Sequence, residues 1–280
     1  MRLGSIAVVV LTLWSPLAAL ASPIPQAGQA AAVAPAPAAG LSDEQIVQFL
    51  QNAKVLSTKS IGKGVTGATR ATLSDGTLTH DAQIQAIEDK KAQFNAGKVA
   101  EFNFEDSWRF NVAAYRVDRL IGLGMVPVSV PRTWKSERSA FTWWIDDVQM
   151  DEGARLKEQR QPPDSGIWNE QMQLVKVFDQ LIANTDRNAG NLLIGTTWRV
   201  WAIDHTRAFR TQNTLKTPTN IQRCDRQVLA GLKGLTKDVL KREIGEFVTD
   251  HQINALLARR DLIVGMIEQA GPAAVFERRR

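Results

Sequence analysis

The chain is poor in several chemistry-bearing residue types: one cysteine, one tyrosine and three histidines among 280 residues. A single thiol, Cys224, excludes an internal disulfide, so the folded part must be held by its apolar core. Cys224 is expected as a buried, inert thiol, with pairing between chains the alternative. His80, His205 and His251 stand far apart and form no HExxH pair, and no GxSxG elbow is present. Zinc-protease and serine-hydrolase chemistry therefore find no footing. After the N-terminal segment, no stretch approaches the ~20 apolar residues of a spanning helix, so no transmembrane segment is expected in the mature chain. Basic residues number 34 but are scattered among 29 acids, for a formal net charge of +5. Nucleic-acid binding gains no support from that balance.

Met1 to Ala21 carry a positive charge at Arg2, an apolar run from Ile6 to Leu13 and the small-residue ending Ala19-Leu20-Ala21. That pattern predicts a secretory signal peptide cleaved before Ser22, hence a secreted or periplasmic protein; an uncleaved anchor is the alternative. Residues 22–40 are almost all Ala, Pro, Gly and Gln and read as a disordered linker. Residues 41–280 are enough for one two-lobed domain.

Ser42 with Gln45 three residues on is a capping box, which opens a helix to about Asn52. The strand-like Val55-Leu56-Ser57-Thr58 leads to Gly62-Lys63-Gly64-Val65-Thr66-Gly67, a GxGxxG. A dinucleotide-binding fingerprint needs a helix directly after the glycines. Here Ala68 to Leu73 is strand-like and Ser74-Asp75-Gly76 makes a turn, so the glycines join two strands. Such a loop covers nucleotide phosphates with its backbone amides, or is a plain flexible turn. Thr77 to Ile87 predicts a third strand, with Leu78, Ala82, Ile84 and Ala86 on one face, Gln85 on the other, and Glu88 to Lys91 ending it. Glu105-Asp106-Ser107 offers a cap for a helix in which Phe110, Ala113, Ala114, Val117, Leu120 and Ile121 form the apolar stripe. Asn111 lies on its inward turn. Gly122, Gly124 and Pro127 stop it.

Val126 to Val130 and Phe141 to Val148 read as strands, and Asp151-Glu152-Gly153 as a hinge. Phe141, Trp143 and Trp144 are expected to pack the core and the junction between lobes. Arg155 to Gly166 reads as an exposed loop, followed by a helix from Trp168 to Ala183. Then comes the densest stretch, DQLIANTDRNAGNLLIGTTWRVWAIDHTRAF, residues 179–209. Asp186 and Asn191 stand five positions apart in a polar loop, and two short apolar runs flank a turn, which predicts a hairpin. A four-residue loop from Thr196 to Arg199 pairs 195 with 200, which sets Leu192 opposite Ile203 and Asn191 opposite Asp204. Opposed Cβ atoms lie about 4.5–5.5 Å apart, so Asn191 and Asp204 are candidate ligands of one hard cation such as Mg²⁺ or Mn²⁺. Asp186 upstream stands where phosphoryl transfer needs a base. A surface hairpin with an Asx-rich entry is the plainer alternative. His205 is expected to lock the loop by a hydrogen bond. Thr211 to Thr219 reads as a substrate-side loop, and Ile221 to Leu232, Lys237 to Phe247 and Gln252 to Glu268 as helices. Arg278 to Arg280 are expected as a frayed basic tail.

With the glycine loop, the helix FNVAAYRVDRLIGLGMVP and the NTDRNAGN and IDH segments together, the chain resembles the atypical kinase superfamily. That superfamily includes HipA-type kinases, type II phosphatidylinositol 4-kinases and the secretory casein kinases of the Golgi. The resemblance runs from about Val55 to Phe209 and implies an α+β, two-lobed protein-kinase-like fold. Its β-rich N-lobe would span about 41–150, and its mainly helical C-lobe about 151–280. It further implies Asp186 as catalytic residue, Asn191 and Asp204 as metal ligands, and Gly62, Lys63, Gly64, Thr66 and Gly67 over the phosphates of ATP. The phosphate lysine and its glutamate partner fall at Gln85 and Asn111, a neutral pair that avoids an uncompensated buried charge. The phosphates then lack a cation unless Lys59 or Lys63 supplies one. Two functions follow: an exported kinase acting on a protein, lipid or small-molecule hydroxyl, or a pseudokinase serving as a nucleotide-binding or scaffold module.

Overall fold

The computed structural model describes residues 40–61, 67–96 and 99–279. The expected signal peptide, most of the linker, residues 62–66 of the glycine loop, including Gly62, Lys63, Gly64 and Thr66, and Arg280 lie outside them.

Helix α1 (Asp43–Asn52) starts at the predicted capping box. Gln45 N donates to Ser42 Oγ at 3.3 Å and Ser42 N to Gln45 Oε1 at 2.8 Å. Its buried Phe49 and Leu50 pack on a five-stranded antiparallel sheet. The strands are β1 (Lys54–Ser60), β2 (Thr69–Ser74), β3 (Thr79–Gln85) and two described below. The turn between β2 and β3 is built on Asp75, whose Oδ1 accepts from Thr77 N and Leu78 N at 2.8 Å each. The connection from β1 to β2 ends on Gly67 at φ 63°.

A separate hairpin follows, β4 (Glu88–Ala96) with β5 (Val99–Ser107). Here the expectation fails, because Glu88 to Lys91 begin a strand instead of ending one. Glu105 to Ser107 likewise finish β5; the cap position of helix α2 (Arg109–Leu120) is Trp108, without a side-chain bond of its own, and Ser107 Oγ accepts from Arg109 N at 3.3 Å. The predicted stripe is otherwise met: Phe110, Ala113, Ala114, Val117 and Ile121 are all buried against the sheet. Buried Asp118 ends the helix by accepting from Gly124 N, Met125 N and Val126 N at 2.8–2.9 Å.

Strands β6 (Ser129–Trp134) and β7 (Glu137–Trp143) complete the sheet in the order β1-β2-β3-β7-β6. β8 (Val148–Asp151) pairs instead with the hairpin β9 (Leu192–Gly195) and β10 (Val200–Ala202). The expected hinge at Asp151 to Gly153 is the start of a short helix, α3 (Glu152–Lys157), since the Asp151 carboxylate caps Ala154 N at 2.7 Å. The expected loop is thus partly helical, and an Arg155–Glu152 ion pair at 2.6 Å supports that turn.

The helical half contains α4 (Ser165–Leu181), β11 (Cys224–Asp225), α5 (Arg226–Gly234), α6 (Lys237–Ile244), α7 (Asp250–Ala270) and β12 (Val275–Phe276). Thr249 and Gln252 form a second capping box at the start of α7. β12 lies parallel to β11, and beyond it Arg278 donates to Leu123 O at 2.5 Å, Gly122 O at 3.1 Å and Asp225 at 3.2 Å. The tail is therefore docked through Arg278 and Arg279, not frayed. Cys224 is fully buried, and burial pushes its thiol up to about 12.

Candidate active site

Helix α4 delivers buried Asp179 to the base of the Asp186 loop, and Arg187 holds that loop in shape. Its guanidinium grips Asp179 through two bonds at 2.9 and 3.0 Å and donates to Asn191 O at 2.8 Å and Ile203 O at 2.9 Å. It also reaches His205 Nε2 at 2.9 Å, so this ring nitrogen is the acceptor. Burial, with Arg187 beside it, holds the His205 imidazole well below the usual histidine range. His205 is thus a neutral lock on the loop, as its place beside Asp204 predicts. Arg187 and Asp179 carry the loop geometry and escape a reading based on spacing alone. Ala183, Asp204 and Phe209 all have left-handed backbones, at φ 48°, 54° and 56°.

Asp186 sits half-exposed, with its backbone N–H on Asn184 Oδ1 at 3.1 Å. Asn191 donates through Nδ2 to Asp186 O at 3.3 Å, which turns its Oδ1 the other way. The hairpin register differs from the counted one. Val200 faces Ile194 and Ala202 faces Leu192, so Ile203, and not Asp204, continues opposite Asn191, with Ile203 N bonded to Asn191 O at 3.1 Å. The turn holds one residue fewer because Gly195 N bonds Arg199 O at 2.8 Å and Trp198 takes φ 63°. In a regular strand one residue of slip would reverse a side chain's face. Asp204 leaves the strand on a left-handed backbone, and its carboxylate lies close enough to Asp106 and Asp186 to feel both charges. Its pKa is raised, by burial first and by those two charges next, against hydrogen bonds from Thr206 and Gln85.

Gln85 and Asn111 meet as expected of a neutral pair: Asn111 Nδ2 donates to Gln85 Oε1 at 2.7 Å, both residues buried. Asn111 Oδ1 in turn accepts from His205 N at 2.8 Å. The sheet, α2 and the Asp204 segment are thereby joined through uncharged bonds. Lys59 lies on an exposed stretch of β1.

Two further residues join the site: Asp106, expected only in a helix cap, and Arg207. Asp106, 2% exposed at the end of β5, places Oδ2 2.8 Å from Arg207 Nε, while its Oδ1 has no hydrogen-bond partner among the described residues. Arg207 Nη1 lies 3.4 Å from Asp186 Oδ2. No group of three or more His, Cys, Asp or Glu side chains with metal-site geometry occurs among the described residues. A smaller donor set, one or two carboxylates with an amide oxygen, suits Mg²⁺ or Mn²⁺ that arrives with nucleotide phosphates and keeps water. Asp204, Asn191 Oδ1 and the unpartnered Asp106 Oδ1 are donors of the right type for such a cation, and of these Asp204 and Asp106 lie close enough to feel each other's charge. Beside this site, a pocket of about 580 Å³ is lined by Glu105, Arg210, Gln212, His251, Gln252 and Asn254. The loop expected on the substrate side supplies part of its wall.

A small β-rich part carrying α2, a helical part, and between them an aspartate loop followed by a short hairpin make up an α+β, two-lobed kinase-like fold. Solved structures place it more closely. A hydra Fam20 solved with sugar superposes with a TM-score of 0.63 at 14% identity, over 84% of this chain and 92% of that one. The Golgi casein kinase gives 0.57 at 13% identity, over 84% and 77%. The same kinase with Mn and ADP bound gives 0.56 at 11%, over 82% and 76%. No family model and no curated protein matches the chain. At these identities the likeness is one of fold alone.

Proposed function

We propose that this chain is an exported atypical kinase that transfers the γ-phosphate of a nucleotide, ATP in the first instance, to a hydroxyl acceptor. The observation that carries the reading is the gathering of Asp186, Asn191 and Asp204 around one loop and hairpin, with the unpartnered Asp106 Oδ1 beside them. In this reading Asp186 orients the acceptor hydroxyl and takes its proton as the acceptor oxygen bonds to the γ-phosphorus. The bond from that phosphorus to the β-phosphate oxygen breaks, and the nucleoside diphosphate leaves. Asn191 and Asp204 hold the divalent cation, which when bound neutralises charge on the phosphates. Gly62, Lys63, Gly64, Thr66 and Gly67 cover those phosphates. The acceptor is a protein, a lipid or a small molecule, and the neighbour solved with sugar makes a glycan a sensible probe.

A second reading, a pseudokinase that binds nucleotide without turnover, is favoured by the buried Gln85–Asn111 pair where a lysine and a glutamate are expected. Transfer of labelled γ-phosphate to extracytoplasmic protein, lipid and glycan preparations separates the two. For a kinase, Asp186→Asn keeps nucleotide stabilisation in a thermal-shift titration and lowers transfer by about 10²–10⁴-fold. Nucleotide binding with no transfer by the wild type establishes the pseudokinase.

A further inference from the structure

The kinase reading leaves the nucleotide phosphates without the positive side chain that β3 is expected to supply, because Gln85 cannot carry charge. A guanidinium nevertheless stands in the site. Arg207 Nε is 2.8 Å from Asp106 Oδ2 and Nη1 is 3.4 Å from Asp186 Oδ2, with 25% of the side chain exposed. Burial opposes its charge, but Asp106, Asp186 and Asp204 outweigh that and raise its pKa. Its backbone is fixed to the Asp186 loop: Arg207 O accepts from Thr185 N at 3.1 Å and Thr185 Oγ1 at 3.0 Å. Two neighbouring arginines among the described residues are tied to other groups. Arg187 spans Asp179, two backbone carbonyls and His205, and Arg109 bonds Glu88 and Glu105 at 2.9 and 2.6 Å. A phosphoryl group held between Asp204 and Asp186, where transfer requires it, lies within reach of the guanidinium that already touches Asp186.

We propose that Arg207 is the phosphate-binding cation of this chain, its guanidinium exchanging contact with Asp186 for the β- and γ-phosphate oxygens of a bound nucleotide. The charge then comes from the segment after Asp204 instead of from β3. An arginine fork suits this task, since it matches phosphate oxygens through two parallel bonds. The exchange also frees the Asp186 carboxylate when nucleotide is present. The proposal rests on the kinase reading above.

Calorimetric titration of the mature chain with Mg-ATP, Mg-ADP and adenosine tests it. Adenosine has no phosphates and reports on the base site alone. Losing a charge-assisted contact weakens binding by about ten- to a hundredfold, so Arg207→Gln is expected to lose that much affinity for Mg-ATP and none for adenosine. Arg207→Lys keeps the charge without the fork and is expected between the two; it carries the test alone if Arg207→Gln does not fold. Unchanged Mg-ATP binding in both variants overturns the assignment, as does equal weakening of all three ligands, which marks a purely structural arginine. A wild type that binds no nucleotide overturns the kinase reading itself, a result distinct from either.

Discussion

Asn111→Leu perturbs the junction between the sheet, α2 and the Asp204 segment at a single point. Leucine keeps the branched outline and is the larger side chain, so no cavity term enters and any overpacking adds to the loss. What disappears is one buried donor and one buried acceptor: the 2.7 Å bond to Gln85 Oε1 and the 2.8 Å bond from His205 N. Each partner left unsatisfied costs about 1–3 kcal/mol, and two are left, so the loss of stability is about 2–6 kcal/mol. Domains of this kind have about 5–15 kcal/mol in total, and urea unfolding at matched slope resolves the change. A double-mutant cycle with Gln85→Leu sharpens the test. The double variant removes the orphaned Gln85 oxygen, so it should cost less than the two singles added, with a coupling of about 0.5–3 kcal/mol. A single-variant loss below about 1 kcal/mol, or strictly additive losses, refutes the argument that this neutral pair joins the two halves.

Asp204→Ala should abolish calorimetric binding of Mg-nucleotide, and wild-type affinity in that variant would place the cation elsewhere. Cys224, pushed up to about 12 by burial, gains thiolate only as pH rises through that range; alkylation of the native chain should stay slow from neutral pH to mildly alkaline pH and become fast once urea opens the fold. Intact-mass analysis of protein recovered outside the cytoplasm should find Ser22 at the N-terminus, and Met1 still in place would remove the case for cleavage.

Features written in local sequence were legible. The capping box at Ser42 and the apolar stripe of α2 each depend on residues within a few positions, and both formed as expected. The β4–β5 hairpin was not seen because its first strand opens on four charged or polar residues, Glu88 to Lys91, with no apolar alternation to mark it. The hairpin register slipped by one because Trp198, an aromatic residue with nothing to advertise a left-handed backbone, closes the turn. Asp106 and Arg207 pair across 101 positions. No local pattern announces such a contact, although an arginine three residues after a candidate metal aspartate was a signal in plain view. Arg278 was misread for the same reason, since its carbonyl acceptors lie more than 150 residues away.

The left-handed backbones at Ala183, Asp204 and Phe209 have a consequence for engineering. A side chain at such a position costs about 1–3 kcal/mol of conformational energy, which glycine avoids, while glycine loosens the unfolded chain by about 0.4–1 kcal/mol. The balance makes Ala183→Gly neutral to mildly stabilising, seen as an unchanged or slightly higher melting temperature; a clear drop would mean the alanine is not strained. Ala183 lies two residues before Thr185, whose N–H and hydroxyl hold Arg207, and three before Asp186. A residue with a Cβ narrows the alternative paths that segment can take, so a thermostabilised variant is expected to lose turnover as it gains heat resistance. Searches for hardier variants that begin in this loop therefore work against the geometry that the proposed transfer requires.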